Sequence, residues 1–182
     1  MSKNILVTGG AGFIGSNFIR YLQKAAPEVK ITNLDLLTYA GSLENLKDLP
    51  VPNNHHFIQG DICNQELIES LLREDEIDTI VHFAAESHVD RSLEGPAAFM
   101  QTNILGTFSL LEAARKVWLG EKGFERKEVR FHHISTDEVY GTLAPEDPAF
   151  EETTPYAPNS PYAASKASSD HPVRSYNHSF GL

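Results

Sequence analysis

Tyr162 and Lys166 stand four residues apart in the segment Tyr162-Ala163-Ala164-Ser165-Lys166. On a helix that spacing puts both side chains on one face. An ammonium beside a phenol favours the phenolate, which lowers a pKa of about 10 toward neutrality and makes the tyrosine a base. Twenty-odd residues upstream, Ser135-Thr136-Asp137-Glu138-Val139-Tyr140-Gly141 sets a hydroxyl beside two adjacent carboxylates. Like charges at short range favour holding a proton on one of them, and such a pair suits a general acid next to a general base. Taken singly, the first pair also reads as an ordinary surface pair and the second as a solvated acidic turn.

A third constellation lies near the start of the chain, where Thr8-Gly9-Gly10-Ala11-Gly12-Phe13-Ile14-Gly15 follows a short apolar run. Glycines between a strand and a helix allow a tight turn, a close approach of backbone to a pyrophosphate, and a helix N-terminus aimed at the anion. Gly9, Gly12 and Gly15 are therefore candidate ligands of a dinucleotide. Asp35 follows Gly15 by twenty residues and ends the second apolar run, where a carboxylate can accept from ribose hydroxyls and would repel a 2'-phosphate. With Leu36 next and no adjacent arginine, NAD is favoured over NADP. Asp61-Ile62 and Phe83-Ala84-Ala85 close two further runs at ligand-facing positions. Asp61 reads equally well as a helix cap.

The elements that must carry these residues alternate in period. Asn4 to Thr8 reads as a strand buried on both faces, and Phe13, Ile14, Phe18, Tyr21, Leu22 and Ala25 then recur at helical spacing up to Pro27. The alternation continues with strands at Val29 to Asp35, His56 to Gln59, Thr79 to Ala84 and Val129 to Ser135. Helices are expected at Leu43 to Leu46, around Leu67 to Leu72, and from Phe99 to Ala114. After the proline-rich loop Pro145 to Pro161 a last helix starts at Ser160-Pro161, a good N-cap followed by a good first turn. Pro172 lies inside it, where the lost backbone donor predicts a kink or an early end. Five strands alternating with helices predict an α/β fold with a doubly wound parallel sheet of Rossmann type, ordered 3-2-1-4-5.

Composition narrows the partners. Fifteen Lys and Arg against twenty-five Asp and Glu give a net charge of -10, which offers no footprint for nucleic acid or an acidic membrane surface. The N-terminal apolar run is too short for a signal peptide, and no stretch is long enough to span a bilayer. One cysteine, Cys63, excludes a disulfide scaffold and a cysteine-built zinc site, so a reducing, cytoplasmic setting fits. The eight histidines include the adjacent pairs His55-His56 and His132-His133; in a strand such neighbours point to opposite faces, so no metal site is expected. The mixed-charge stretch Glu121 to Arg130 reads as a solvated helix end or loop.

Together these features resemble the extended short-chain dehydrogenase/reductase family over essentially the whole chain. Within it, four stretches are similar to the nucleotide-sugar 4,6-dehydratases: Asp35-Leu36-Leu37-Thr38-Tyr39-Ala40-Gly41, Ala84-Ala85-Glu86-Ser87-His88-Val89-Asp90-Arg91-Ser92, Thr136-Asp137-Glu138, and Ser160 through His171. The resemblance implies dehydration of dTDP-glucose to its 4-keto-6-deoxy product, a precursor of deoxysugars such as rhamnose, through transient oxidation at C4 by bound NAD. Tyr162, assisted by Thr136 and Lys166, would take the O4 proton. Glu138 would remove the C5 proton and Asp137 would protonate the departing C6 hydroxyl. Phe13, Ile14, Asp35, Leu36, Leu37, Thr38, Asp61, Ile62, Phe83, Ala84, Ala85, Thr102, Tyr162 and Lys166 would line the NAD site, and Ser87 and Thr136 would touch substrate.

The rival enzyme is a UDP-glucose 4,6-dehydratase or an NAD-dependent sugar-nucleotide epimerase, and epimerases are expected to lack the Asp-Glu pair. A noncatalytic NAD-binding module is the rival from another class. The resemblance also implies that residues 1–182 form the NAD-binding domain of a longer or truncated polypeptide whose missing lobe holds most of the sugar-nucleotide pocket. Such a full-length enzyme is expected to be a homodimer, whereas the chain alone is expected to associate with itself and to lack dehydratase activity.

Overall fold

The computed structural model describes residues 3–125 and 128–182. Its sheet holds five parallel strands, β1 (Asn4–Thr8), β2 (Lys30–Asp35), β3 (His55–Gln59), β4 (Thr79–His82) and β5 (Arg130–His133), in the order β3-β2-β1-β4-β5. This is the order expected from the sequence. The helices are α1 (Phe13–Ala25), α2 (Gln65–Glu74), α3 (Val89–Glu94), α4 (Pro96–Phe99), α5 (Thr107–Ala114) and α6 (Pro161–Phe180). Two π-helical segments, Met100–Gly106 and Arg115–Glu121, run on from α4 and α5 without a break.

Period two in the strands divides the core between the two sheet faces. Leu6 and Ile80 point to one face and pack with Ile68 and Leu72 of α2, Leu110 of α5 and the fully buried Trp118. The Trp118 indole N–H donates to the Ile77 carbonyl at 2.7 Å, so the bulky ring is buried without an orphaned donor. Ile5, Val7 and Val81 point to the other face and pack with Ile19 of α1, together with Val29, Ile31 and Leu49. Burial on both faces is what made β1 read as a continuous apolar run.

Several boundaries differ from the sequence reading. β4 ends at His82 and not at Ala84, and β5 ends at His133 and not at Ser135. Single ladder bonds continue just past these ends, from Phe83 N to the Thr8 carbonyl at 3.0 Å and from Ile134 N to the His82 carbonyl at 3.2 Å, before the chain turns into the loops that line the cleft. The helix expected from Phe99 to Ala114 runs from Pro96 to Glu121 through the π-helical segments.

Pro172 does not end α6, which continues to Phe180. The carbonyl that loses its donor belongs to Ser168, an exposed residue, so water can replace the bond. Beyond the proline, the Tyr176 hydroxyl donates to Glu112 of α5 and holds the last turns in place. Glu121, expected to be solvated, pairs in two-pronged fashion with Arg73 at 2.7 Å; Arg126 and Lys127 of the same stretch lie outside the described residues.

Candidate active site

A cleft of about 410 Å³ opens at the carboxyl ends of the strands, where β1 and β4 hand the chain to opposite sides of the sheet. Gly9, Gly12, Phe13, Ile14 and Gly15 line it from the first turn, and Asp35, Leu36 and Thr38 from the loop after β2. Asp61 and Ile62 follow β3; Phe83, Ala84, Ala85 and Ser87 follow β4; Thr102, Tyr162 and Lys166 come from the helices. Leu37 is not on the wall. Its φ of +58° turns its amide back so that it donates to Asp35 Oδ1 at 2.8 Å, a strained geometry that fixes the aspartate.

The glycines have specific reasons to be glycine. Gly9 adopts φ +72°, and a Cβ there would lie 2.6 Å from the Ala84 amide nitrogen. A Cβ on Gly15 would meet the Gly9 carbonyl oxygen at 2.3 Å, so α1 could not approach its own turn. The N-terminus of α1 has Gly12 at its cap, no side-chain cap and no acidic residue in the first turn. Phe13 and Ile14 are 81% and 63% exposed beside it. Open amides at a positive helix end, next to bare apolar surface, fit the pyrophosphate and rings of a dinucleotide.

Asp35 fits the ribose side. It is 8% exposed, and its two oxygens accept from the amides of Ala11 at 2.9 Å and Leu37 at 2.8 Å. Each carboxylate oxygen keeps a further lone pair for a ribose hydroxyl. Asp61 lines the cleft and accepts from Cys63 N at 2.8 Å, closing the turn after β3; it does not cap α2, whose N-cap is Asn64, accepting from Leu67 N at 3.1 Å.

The candidate acid and base groups gather where β5 meets α6. Ser160 caps α6 by accepting from Ala163 N at 3.0 Å, and Pro161 starts the first turn, which sets Tyr162 at the mouth of the helix. Phe99 meets the Tyr162 ring edge to face at 6.4 Å. Thr136 lies beside the phenol, and its Oγ1 accepts from Glu138 N at 3.3 Å, forming the 3-10 turn Asp137–Tyr140. Val139 is buried beneath that turn, while Asp137 and Glu138 stay exposed on top of it.

One expectation about this site is corrected. Lys166 does not lower the Tyr162 pKa; burial raises it, the Thr136 hydrogen bond opposes this, and the charges of Glu138 and Asp137 raise it further. The reason is where the ammonium goes. Lys166 is 5% exposed and donates to the Ile134 carbonyl at 2.6 Å, and burial pushes its own pKa down to about 8.

Two supporting groups carry no signature in the sequence. Asn103, 1% exposed in the first π-helical segment, donates to the Glu86 carbonyl at 2.9 Å and to Ser165 Oγ at 2.8 Å, and accepts from Glu86 N at 2.9 Å. It thereby joins the loop after β4 to the turn of α6 between Tyr162 and Lys166. Asp170, one turn beyond Lys166, accepts from Ser135 and Tyr156 and lies 3.2 Å from His133 Nε2. Their partners are 14 to 62 residues away, which no local spacing could reveal.

Comparison with known proteins agrees with this geometry. The chain is 55% identical over 177 residues to a dTDP-glucose 4,6-dehydratase of Xanthomonas campestris pv. campestris (strain B100), covering 97% of the chain and 50% of the relative. A crystal structure of dTDP-glucose 4,6-dehydratase from Bacillus anthracis in complex with NAD superposes with a TM-score of 0.85 at 42% identity, covering 100% of the chain and 52% of that structure. The Streptomyces venezuelae enzyme of the same name, also crystallised with NAD, gives a TM-score of 0.86 at 46% identity and covers 98% of the chain and 53% of that structure. The chain spans about half the length of the curated relatives it matches. A family profile described as GDP-mannose 4,6 dehydratase matches residues 6–182, and the chain belongs to that family.

Proposed function

We propose that the chain is the cofactor-binding and proton-handling part of an NAD-dependent nucleotide-sugar 4,6-dehydratase that acts on dTDP-glucose. The observation that carries this reading is the convergence of Tyr162, Thr136, Asp137 and Glu138 beside a cleft whose far end is held by Asp35. The glycine turn and uncapped α1 would hold the pyrophosphate of NAD, Asp35 a ribose, and Tyr162 and Lys166 the opposite end. When bound, NAD supplies the acceptor and later the donor of one hydride.

The chain's own residues then account for the protons. Tyr162, as the phenolate stabilised by the Thr136 hydroxyl, takes the O4 proton and becomes the neutral phenol. Lys166, buried against Ile134, fixes the spacing between α6 and β5. A ketone at C4 acidifies the C5 proton, which Glu138 removes; Asp137 donates a proton to the C6 hydroxyl, which leaves as water. The double bond between C5 and C6 is then reduced, with hydride added at C6 and a proton returned at C5. An epimerase moves a proton and a hydride at C4 alone and has no use for two carboxylates, so the Asp137-Glu138 turn favours dehydration.

The test is to join residues 1–182 to the downstream half of the Xanthomonas relative and supply dTDP-glucose with NAD. Mass spectrometry should show loss of one water per sugar. A product of unchanged mass and altered sugar configuration would make the protein an epimerase, and bound NAD with unreacted sugar nucleotide would leave only the binding module.

A further inference from the structure

The spatial order β2-β1-β4 places the loop after β2 and the loop after β4 on opposite sides of the glycine turn that follows β1. Any contact between these two loops must pass across the mouth of the cleft. Such a contact exists. Tyr39, in the loop after β2, donates its hydroxyl to Glu86 Oε2 at 3.2 Å, and the guanidinium of Arg91, on α3, stacks on its ring at 3.8 Å from the centroid. The Tyr39 hydroxyl also lies against the Ser87 main chain.

Both ends of this bridge are anchored to rigid parts. On one side, Ser42 N and Asn45 Nδ2 donate to the Ala11 carbonyl at 3.0 and 2.9 Å, which ties the loop after β2 to the glycine turn. On the other, the Glu86 main chain is held by Asn103 through both its N–H and its carbonyl, and Ser92 of α3 is fully buried. The bridge itself is the soft part: Tyr39 is 49% exposed and Arg91 is exposed. An exposed cation–π contact and one hydrogen bond hold a bar firmly enough to close it and weakly enough to open it.

We propose that Tyr39, Glu86 and Arg91 form a clasp across the cofactor cleft that gates passage of the dinucleotide in both directions without gripping it. The proposal rests on the reading of the cleft as an NAD site. The bridge is built wholly from the chain's own side chains and needs no ligand to close, so its opening precedes uptake as well as release. A gate of this kind shifts both rate constants by the same factor and leaves the affinity alone. It suits a reaction in which the cofactor is restored within each turnover and has no need to leave.

Stopped-flow mixing of the chain with NADH, followed by nucleotide fluorescence and by displacement with excess NAD, separates the two rates. In Tyr39→Leu and in Arg91→Gln, association and dissociation should both accelerate by roughly tenfold, the scale of losing one such bridge, with the dissociation constant nearly unchanged. Arg91→Lys, which keeps a cation on the ring, should restore part of the slowness. Unchanged rates in both variants, or a faster dissociation matched by weaker affinity, would overturn the gate; the second result would make the bridge a direct cofactor contact. Failure of the unmodified chain to bind NADH at all removes the cofactor reading itself, a result separate from either of these.

Discussion

Ser135 Oγ donates to Asp170 Oδ2 at 2.7 Å, and the same oxygen accepts from the Tyr156 hydroxyl at 2.9 Å. One carboxylate thus fastens the end of β5 and the proline-rich loop to α6, directly behind Thr136, Asp137 and Glu138. Burial pushes the Asp170 carboxyl up, but the hydrogen bonds from His133, Ser135 and Tyr156 outweigh it and hold the group below the usual carboxylate range. A carboxyl depressed in this way adds stability above its unfolded pKa of about 3.9 and loses it as pH falls through the folded value. Asp170→Asn should cost about 1–3 kcal/mol near neutrality, the scale for a buried acceptor lost from its donors, with a smaller deficit in acid. Urea denaturation of both proteins across the acid range checks this; a deficit that stays constant down to the lowest pH contradicts it.

Lys166 gives the opposite sign. Its pKa is displaced from 10.5 to about 8, chiefly by burial, with Asp170 opposing the shift. Folding therefore disfavours the ammonium, and the burden of the buried charge is full below pH 8 and is lifted as pH rises to 10.5. Lys166→Met should be more stable than the parent near neutrality by up to about 3 kcal/mol, and the gap should close over that alkaline range. Thermal melting of the pair at several pH values decides it, and a parent that is the more stable of the two at pH 7 counts against the assignment.

Asp35 should set the choice of dinucleotide. Its carboxylate is held by the Ala11 and Leu37 amides and cannot turn away from a 2'-phosphate, so NAD should bind at least about tenfold more tightly than NADP, or about 1.4 kcal/mol. Asp35→Asn should narrow the ratio mainly by weakening NAD, because an amide oxygen can receive only one of the two main-chain donors in place. Equal affinities of the unaltered chain for the two nucleotides in a calorimetric titration would refute this.

Joined to the downstream half of the Xanthomonas relative, Glu138→Gln and Tyr162→Phe should fail at different points. Glu138→Gln keeps the base for O4 and loses the base for C5, so reduced nucleotide should build up on the protein with little dehydrated sugar. Tyr162→Phe should show neither. Each loss should be about 100-fold or more, the usual contribution of a placed acid or base. Normal turnover by Glu138→Gln, or absence of solvent deuterium at C5 of the product, would assign the C5 proton to another group.

Much of this was legible because it is local. The glycine turn, Asp35 and the Ser160-Pro161 helix start are each encoded within a few residues, and strand order followed from alternation of period. The rest depends on partners distant in sequence. Lys166 and Tyr162 share a helix face, as the four-residue spacing predicts, but the lowered phenol pKa expected from it does not follow, because the ammonium is claimed by the Ile134 carbonyl and the phenol by Thr136. Asn103 carries no local signature and Pro172 predicts a kink or an early end; contacts to the loop after β4 and to α5 decide both.

The two π-helical segments have a consequence of their own. Each wide turn inserts about one extra residue relative to an α-helix, which advances every later side chain by roughly 100° around the axis. The rod from Pro96 to Glu121 is in effect a phase shifter: Asn103 faces Glu86 and Ser165, while Leu110, Val117 and Trp118 face the sheet core. A one-residue deletion inside Met100–Gly106 would restore ordinary winding and leave the rod able to satisfy one of those directions, not both.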